Sequence, residues 1–367
     1  MRPVKKPAQP GNYPPSPTLT FAGANATAIA ANTNPVSAPN TKTFTLAQLV
    51  NVWLTAVKSV PPPANGSTLK KAQSAISGRI SDIYKAASTP LTQGLGPFCS
   101  YCESPLSGLL EVEHCAPKAP YPTYSIEWKN FLLACSPCNN KKSDNPSRAI
   151  ATAWTEKLNP TEAELYDEIR EQHYFFPDTS AGSYTEMPVV LQYLNNTVNP
   201  PQWNTVPLST SANPNNFIVS QDITTRTVIA RLYNATTGVP QDVQVQAIVI
   251  SKTSGLDPDI AQEMIDLCGL NICNDITSTY DRRVMNRTIA WFTALKALNN
   301  LGQASGNPGH QAVLWEMTKM IAVSAGFYSV WVKLLVKIFS NEAAKSFVTQ
   351  TNVTGEYPGT DTSGLPS

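Results

Sequence analysis

Three short stretches, "CSYC" (99–102), "LLEVEHCAPK" (109–118) and "WKNFLLACSPCNNKK" (128–142), decide how this chain is read. Cys99-x2-Cys102 is followed, after 32 residues, by Cys135-x2-Cys138. A C-x2-C turn lets both sulfurs face one ion, and two such turns close a four-thiolate tetrahedron. Four thiolates leave no open coordination position, so this site is expected to bind structural Zn2+. Between the pairs, "LLEVEH" reads as a short strand ending at His114, because Pro117 prevents easy continuation. "NFLLA" reads as its hairpin partner, and "SPCNNKKS" opens a helix at Ser136 or Pro137. A ββα unit of this size is too small to build its own core and is held together by metal.

That arrangement brings His114, Asn130 and Asn139 around one concavity, and there the residues resemble the HNH endonuclease family. The pattern is carried by Cys99, Cys102, Glu113, His114, Pro117, Lys118, Trp128, Asn130, Leu132, Leu133, Cys135, Cys138, Asn139 and Lys142. It covers about 45 of 367 residues. The resemblance implies a ββα-metal fold and phosphodiester hydrolysis, which needs an activated water, a cation on the scissile phosphate and rigid positioning. By the same resemblance His114 is the general base, and Glu113 and Asn139 hold a catalytic divalent cation such as Mg2+. Asn130 orients the loop or the histidine. The third family position, often a second histidine, is Asn139 here, an H-N-N variant. Successive strand residues point to opposite faces, so Glu113 and His114 share a site only if the backbone turns after them. Glu111, on the same face as Glu113, is the fallback ligand.

Outside this segment the composition narrows the possibilities without choosing among them. Net charge is +1 and charged residues make up 14%. No global positive field advertises nucleic-acid binding, so any polyanion contact must be local. Lys118, Lys129, Lys141 and Lys142 are candidates for phosphate contact or for an ordinary solvated face. "MRPVKKPAQPGNYPPSP" has a basic start with no apolar run behind it, which predicts a cytoplasmic protein. Met320 to Phe339, the most apolar stretch, is interrupted by Lys333 and Lys337 and is read as a buried helix, with no membrane partner. Seven cysteines, an odd number, argue against a disulfide framework. Cys115, Cys268 and Cys273 are expected to be buried thiols, Trp128 a packing residue, and His173 and His310 to have no role.

The expected organisation is α+β: a small zinc-stabilised ββα-metal unit embedded in a mostly helical protein. Residues 1–43 are read as an extended Pro/Asn-rich arm and 44–92 as a helical hairpin. The nuclease unit occupies 93–150. Residues 151–367 form a mainly helical region with a short β-hairpin, offering a docking surface for a partner. Within that last region, 178–220 read as loop, "TTRTVIARLY" and "DVQVQAIVI" alternate as strands, and Asp257-Pro258 marks a helix start. Long helices are expected at about 280–301 and 311–339.

"MRPVKK", the cysteine-rich segment and "DLCGLN…DRR" are similar to one HNH subgroup, the bacterial anti-phage nucleases of the Septu type. That resemblance implies a defence complex in which an ABC-class ATPase gates this chain's cutting of nucleic acid, DNA in preference to RNA. Two other readings stay open: a non-catalytic zinc module that binds nucleic acid or protein, and a secreted nuclease toxin.

Overall fold

The computed structural model describes residues 2, 4–14, 18–33, 41–106, 111–155, 157–179, 187–251, 258–272, 281–353, 357–358 and 360. Asp257, Cys273, Leu109 and Leu110 lie outside them. Helices and sheets are mixed around one continuous apolar core that runs from Val4 to Tyr357.

Two strands, β1 (Thr18–Ala22) and β2 (Thr41–Thr45), pair antiparallel and bracket a short helix, α1 (Gly23–Ala30). The expected extended arm is therefore extended only in part: small apolar residues Ala26, Ala28, Ile29 and Ala30 bury one face of α1. Helix α2 (Leu46–Val57) starts where Thr45 and Gln48 exchange side-chain-to-backbone bonds, a capping box. It stops short of Pro61-Pro62-Pro63. Helix α3 (Thr68–Lys85), capped by Ser67, buries Ala72, Ile76, Ile80 and Ile83 at helical spacing. Helix α4 (Ser88–Leu95) leads into the cysteine-rich segment.

There, β3 (Glu111–His114) pairs antiparallel with β4 (Phe131–Ala134), with His114 opposite Phe131. Helix α5 (Ser136–Lys142) follows with Pro137 in its first turn, where a missing N–H costs nothing. Helices α6 (Arg148–Ala153) and α7 (Glu162–Asp167) come next, the latter running into a π-turn, Glu168–Gln172.

The region expected as loop plus one hairpin instead builds a five-stranded antiparallel sheet. Its order is β6 (Gln202–Thr205), β5 (Val189–Asn195), β9 (Pro240–Val249), β8 (Thr227–Tyr233) and β7 (Phe217–Asp222). A one-turn helix, α8 (Leu208–Ser211), connects β6 to β7. The two alternating segments become β8 and β9, which pair directly. The two edge strands are hard to read from sequence because β6 is short and polar and β7 leaves even Phe217 and Val219 exposed, so little burial imposes alternation. Val228, Ala230, Leu232, Val245, Ala247 and Val249 form the sheet's buried face.

Against that face lies α10 (Arg283–Gln303), which follows α9 (Pro258–Cys268). Thr288 Oγ1 accepts the Ala247 N–H at 2.8 Å, joining helix to sheet. Helix α10 runs through Gly302, and α11 (Pro308–Ala325) begins after Asn307 caps it. The single helix expected at 311–339 is broken into α11 and α12 (Tyr328–Ile338) at Gly326 (φ +68°) and Phe327 (φ +53°). A Cβ on Gly326 would lie 2.5 Å from Pro105 Cδ and 2.8 Å from the Glu103 carbonyl oxygen, so close approach demands glycine there. A last helix, α13 (Asn341–Val353), was not anticipated. Among the described residues, no helix is long and apolar enough to cross a membrane.

The first residues clasp this assembly. Arg2 donates to the carbonyls of Leu95 and Pro358 and to Thr360 Oγ1. Lys6 donates to the carbonyls of Trp128 (3.0 Å) and Lys129 (2.9 Å) and pairs with buried Asp178 at 3.2 Å. Trp128 is a packing residue, as expected, but it packs on the N-terminal arm: its Nε1 donates to Pro7 O at 2.9 Å, and Tyr13 lies against its ring.

Candidate active site and metal centre

The two C-x2-C turns converge. The sulfurs of Cys99, Cys102, Cys135 and Cys138 all lie within 4.8 Å of one another, and Cys102 and Cys135 are 3.6 Å apart. A tetrahedral ion with bonds of about 2.3 Å separates its sulfurs by about 3.8 Å. The donor set, its spacing and its burial therefore fit a zinc-like ion. The first turn closes with Glu103 N–H donating to Cys99 O at 2.9 Å, and Glu103 itself sits at φ +66°. The second places Cys135 as the N-cap of α5. Arg283 Nη1 donates to Cys138 Sγ at 3.0 Å from 145 residues away.

Beside this centre opens a cavity of about 640 Å³, walled by Tyr84, Lys85 and Ser88 of α3 and α4 on one side and by Asn139 and Asn140 of α5 on the other. Strand β3 runs along it, so Glu111, Glu113 and His114 all reach its lining, together with Lys118 and Asp144. The convergence left open by strand alternation is thus met by a cavity lying along the strand rather than on one face of it.

His114 is buried between the edges of Tyr84 and Phe131, at ring-centroid distances of 4.8 and 5.1 Å. Its Nε2 lies 2.9 Å from the carbonyl oxygen of Ser125. A carbonyl only accepts, so Nε2 carries the hydrogen and Nδ1 is the basic nitrogen. Burial, reinforced by nearby Lys118 and Lys142, depresses the imidazole pKa from 6.5 to about 3. The ring is therefore neutral at physiological pH, the protonation state a general base needs.

The carboxylates divide differently from expectation. Glu113 is buried and ion-paired with Lys142 Nζ at 2.9 Å, while the same ammonium donates to the His114 carbonyl at 2.7 Å. Desolvation raises the Glu113 pKa, and Lys142 opposes it. That carboxylate is committed to a structural lock between β3 and α5. Glu111 is the one that meets Asn139: its carboxylate accepts from Asn139 Nδ2 and from Ser136 Oγ. The physical reason is register, since Glu113 sits deeper along β3, under α5, where only a buried cation makes its charge tolerable. Lys142, read as a possible phosphate contact, is that cation.

Asn130 does not line the cavity. Fully buried, it donates to the carbonyls of Ala116 (2.9 Å) and Tyr124 (3.1 Å) and accepts the Ala116 N–H at 2.8 Å. It braces the loop that leaves His114. Lys118 Nζ stands 3.0 Å from Tyr84 Oη and 4.4 Å over its ring, and no acidic partner reaches it among the described residues.

Among the described residues, Cys115, Cys268 and His173 have packing roles. Cys115 Sγ is buried and accepts from Arg170 Nη1 at 2.8 Å, with burial pushing the thiol up to about 11. Cys268 is buried as well. His173 does have partners, stacking on Trp154 and pairing with Glu168 Oε1 at 3.2 Å. His310 is exposed at the start of α11. Tyr84, Arg283 and Arg287 escaped the motif reading. Tyr84 lay in an apolar stripe that pointed to core, and Arg283 was visible only as part of the quoted "DRR".

Comparison with known proteins points the same way. Residues 99–145 match the family described as HNH endonuclease. Over 53 residues the chain is 43% identical to "Septu protein PtuB" of Bacillus thuringiensis, an alignment covering 14% of this chain and 21% of the relative. The chain thus spans about a fifth of the length of the curated relative it matches. No solved structure matches. Residues 99–145, which carry the four-cysteine cluster, thus match the HNH endonuclease family, and part of the chain is similar to a Septu protein.

Proposed function

We propose that the chain is a metal-dependent endonuclease that hydrolyses phosphodiester bonds, DNA in preference to RNA, and that it is the cutting subunit of an anti-phage complex. The observation that carries this is the cavity in which a neutral, carbonyl-oriented histidine lies along the same wall as Glu111 and Asn139. His114 Nδ1 takes the proton from the attacking water, while the Ser125 carbonyl holds the tautomer and stabilises the imidazolium that results. Glu111 and the Asn139 amide oxygen offer oxygen donors for a hard divalent cation such as Mg2+, which binds through one or two carboxylates and substrate phosphate. When bound, that cation supplies charge stabilisation to the phosphate and the leaving oxygen. Lys118, steadied by Tyr84, holds a non-bridging phosphate oxygen at the cavity wall. Asn130 acts through the loop after His114, as a positioning residue. Zinc at the four cysteines is structural.

Cutting free in a cell would be toxic, so activity depends on a regulatory protein, by resemblance an ABC-class ATPase. Helix α11 presents Val313, Met317 and Met320 to solvent and is the surface on which such a partner is expected. The reading is tested by plasmid and RNA cleavage with Mg2+, with EDTA, and with His114→Ala. Cleavage that needs metal and falls by about a hundredfold or more in the variant is expected. Equal cleavage by both proteins would leave the segment a non-catalytic zinc module.

A further inference from the structure

Both halves of the four-cysteine centre are gripped by residues from the far end of the chain. On the first turn, the Glu103 carbonyl accepts from Phe327 N at 3.0 Å, and its carboxylate accepts from Ser329 N at 2.9 Å, at the start of α12. The Ser329 hydroxyl donates to the same carboxylate. On the second turn, Arg283 Nη1 reaches both Cys138 Sγ (3.0 Å) and the Cys268 carbonyl (2.8 Å). Asp281 aims that guanidinium by accepting from Nε at 2.9 Å and Nη2 at 2.6 Å.

One turn further along α10, Arg287 is 2% exposed. Among the described residues, its Nη1 has only long bonds to the carbonyls of Leu270 (3.2 Å) and Ala247 (3.4 Å), and its Nη2 has no hydrogen-bond partner. No carboxylate forms an ion pair with it among the described residues. A guanidinium taken out of water without a counter-charge is strongly unfavourable. The negative groups that act on it are Cys102, Glu103 and Cys138. Four thiolates around a dication carry a net charge of about −2, which is the counter-charge this arginine lacks.

We propose that the loaded four-cysteine centre is the joint between the nuclease unit and the C-terminal sheet and helices. Arg283 and Arg287 neutralise its thiolates, and Glu103 ties its first turn to α12. This rests on the zinc reading of the cluster and not on the chemistry at His114. The metal staples the ββα hairpin and also holds α10, α12 and β9 to it. Strain or metal loss at the joint is thereby transmitted between α10 and α12 and the cavity.

The test is hydrogen–deuterium exchange on the full chain, before and after zinc is removed with phenanthroline. Protection is expected to fall across 283–303 and 328–338 as well as 99–145. A loss confined to 99–145, in a protein shown to have contained zinc, overturns the proposal and leaves the zinc reading standing. A purified chain that holds no zinc overturns both, and neither result bears on His114→Ala. Release of zinc to a chromogenic chelator should be about tenfold faster in Arg283→Ala, with Arg283→Lys partly recovering it. In the Co2+-loaded protein, Arg283→Lys should shift the thiolate-to-metal absorption band. The control is the exposed Arg282→Ala; release from Arg283→Ala no faster than from this control would also overturn the proposal. Should Arg283→Ala fail to fold, the wild-type exchange experiment decides alone.

Discussion

Replacing Glu113 and Glu111 in turn by glutamine tests the proposal that Glu111, and not Glu113, is the cation ligand. Glu113 and Lys142 expose 4% and 1% of their side chains and stand 2.9 Å apart. Glu113→Gln keeps the shape but leaves the Lys142 ammonium with the His114 carbonyl as its remaining partner. Removing one member of a buried pair costs about 3–5 kcal/mol. The residual amide dipole puts this variant at the lower end, about 3 kcal/mol. Against a total stability of about 5–15 kcal/mol, that is a large loss. With a denaturant slope of about 3 kcal/mol/M, the urea midpoint falls by about 1 M. The chain's seven tryptophans report it by fluorescence. Glu111 is only half-buried and bonded to Ser136 and Asn139, so Glu111→Gln costs about 1 kcal/mol or less. Its effect falls on cleavage: a cation ligand worth about 3 kcal/mol of transition-state stabilisation translates into about a hundredfold loss, partly restored at high Mg2+. The reverse pattern refutes the assignment: a Glu113→Gln protein as stable as wild type but inactive, beside a Glu111→Gln protein that still cuts.

Two further outcomes follow from the same geometry. Folded His114 takes a proton only near pH 3, whereas the unfolded chain takes it near 6.5. The unfolded state thus binds more protons between those values, so this residue's share of stability is whole above pH 6.5. It is lost as pH falls toward 3, by about 1.4 kcal/mol per unit. Urea midpoints of wild type and His114→Ala compared from pH 7 to pH 4 should converge on acidification; parallel curves would contradict the buried, neutral ring. Asn130→Ala strips partners from Ala116 N–H and from the carbonyls of Ala116 and Tyr124. At about 1–3 kcal/mol for each orphaned group, it should melt well below wild type, and its kcat should fall while KM holds. Wild-type melting and turnover would remove the brace.

The HNH segment was legible because its information is local. Two C-x2-C turns, a strand closed by His114 and Pro117, and a helix opened by Pro137 are all written within 44 consecutive residues, 99–142. Metal spacing and strand and helix periods act over such distances. Helices α2 and α3 were legible for the same reason, through a 3.6-residue apolar stripe in each. The sheet was legible only in β8 and β9, where one buried face enforces alternation. Its edge strands carry too little burial to show.

Which carboxylate pairs with Lys142 and which meets Asn139 could not be read from spacing, because Glu111 and Glu113 share a strand face and differ only in depth beneath α5. Nor could the wall made by Tyr84, the clasp of Arg2 and Lys6, or the arginines behind the cysteines. Arg2 meets Thr360 across 358 positions and Arg283 meets Cys138 across 145. Local preferences constrain backbone conformation within a turn or a strand. The fate of a buried charge depends on which distant group packing brings beside it, and that is settled only when the whole core closes.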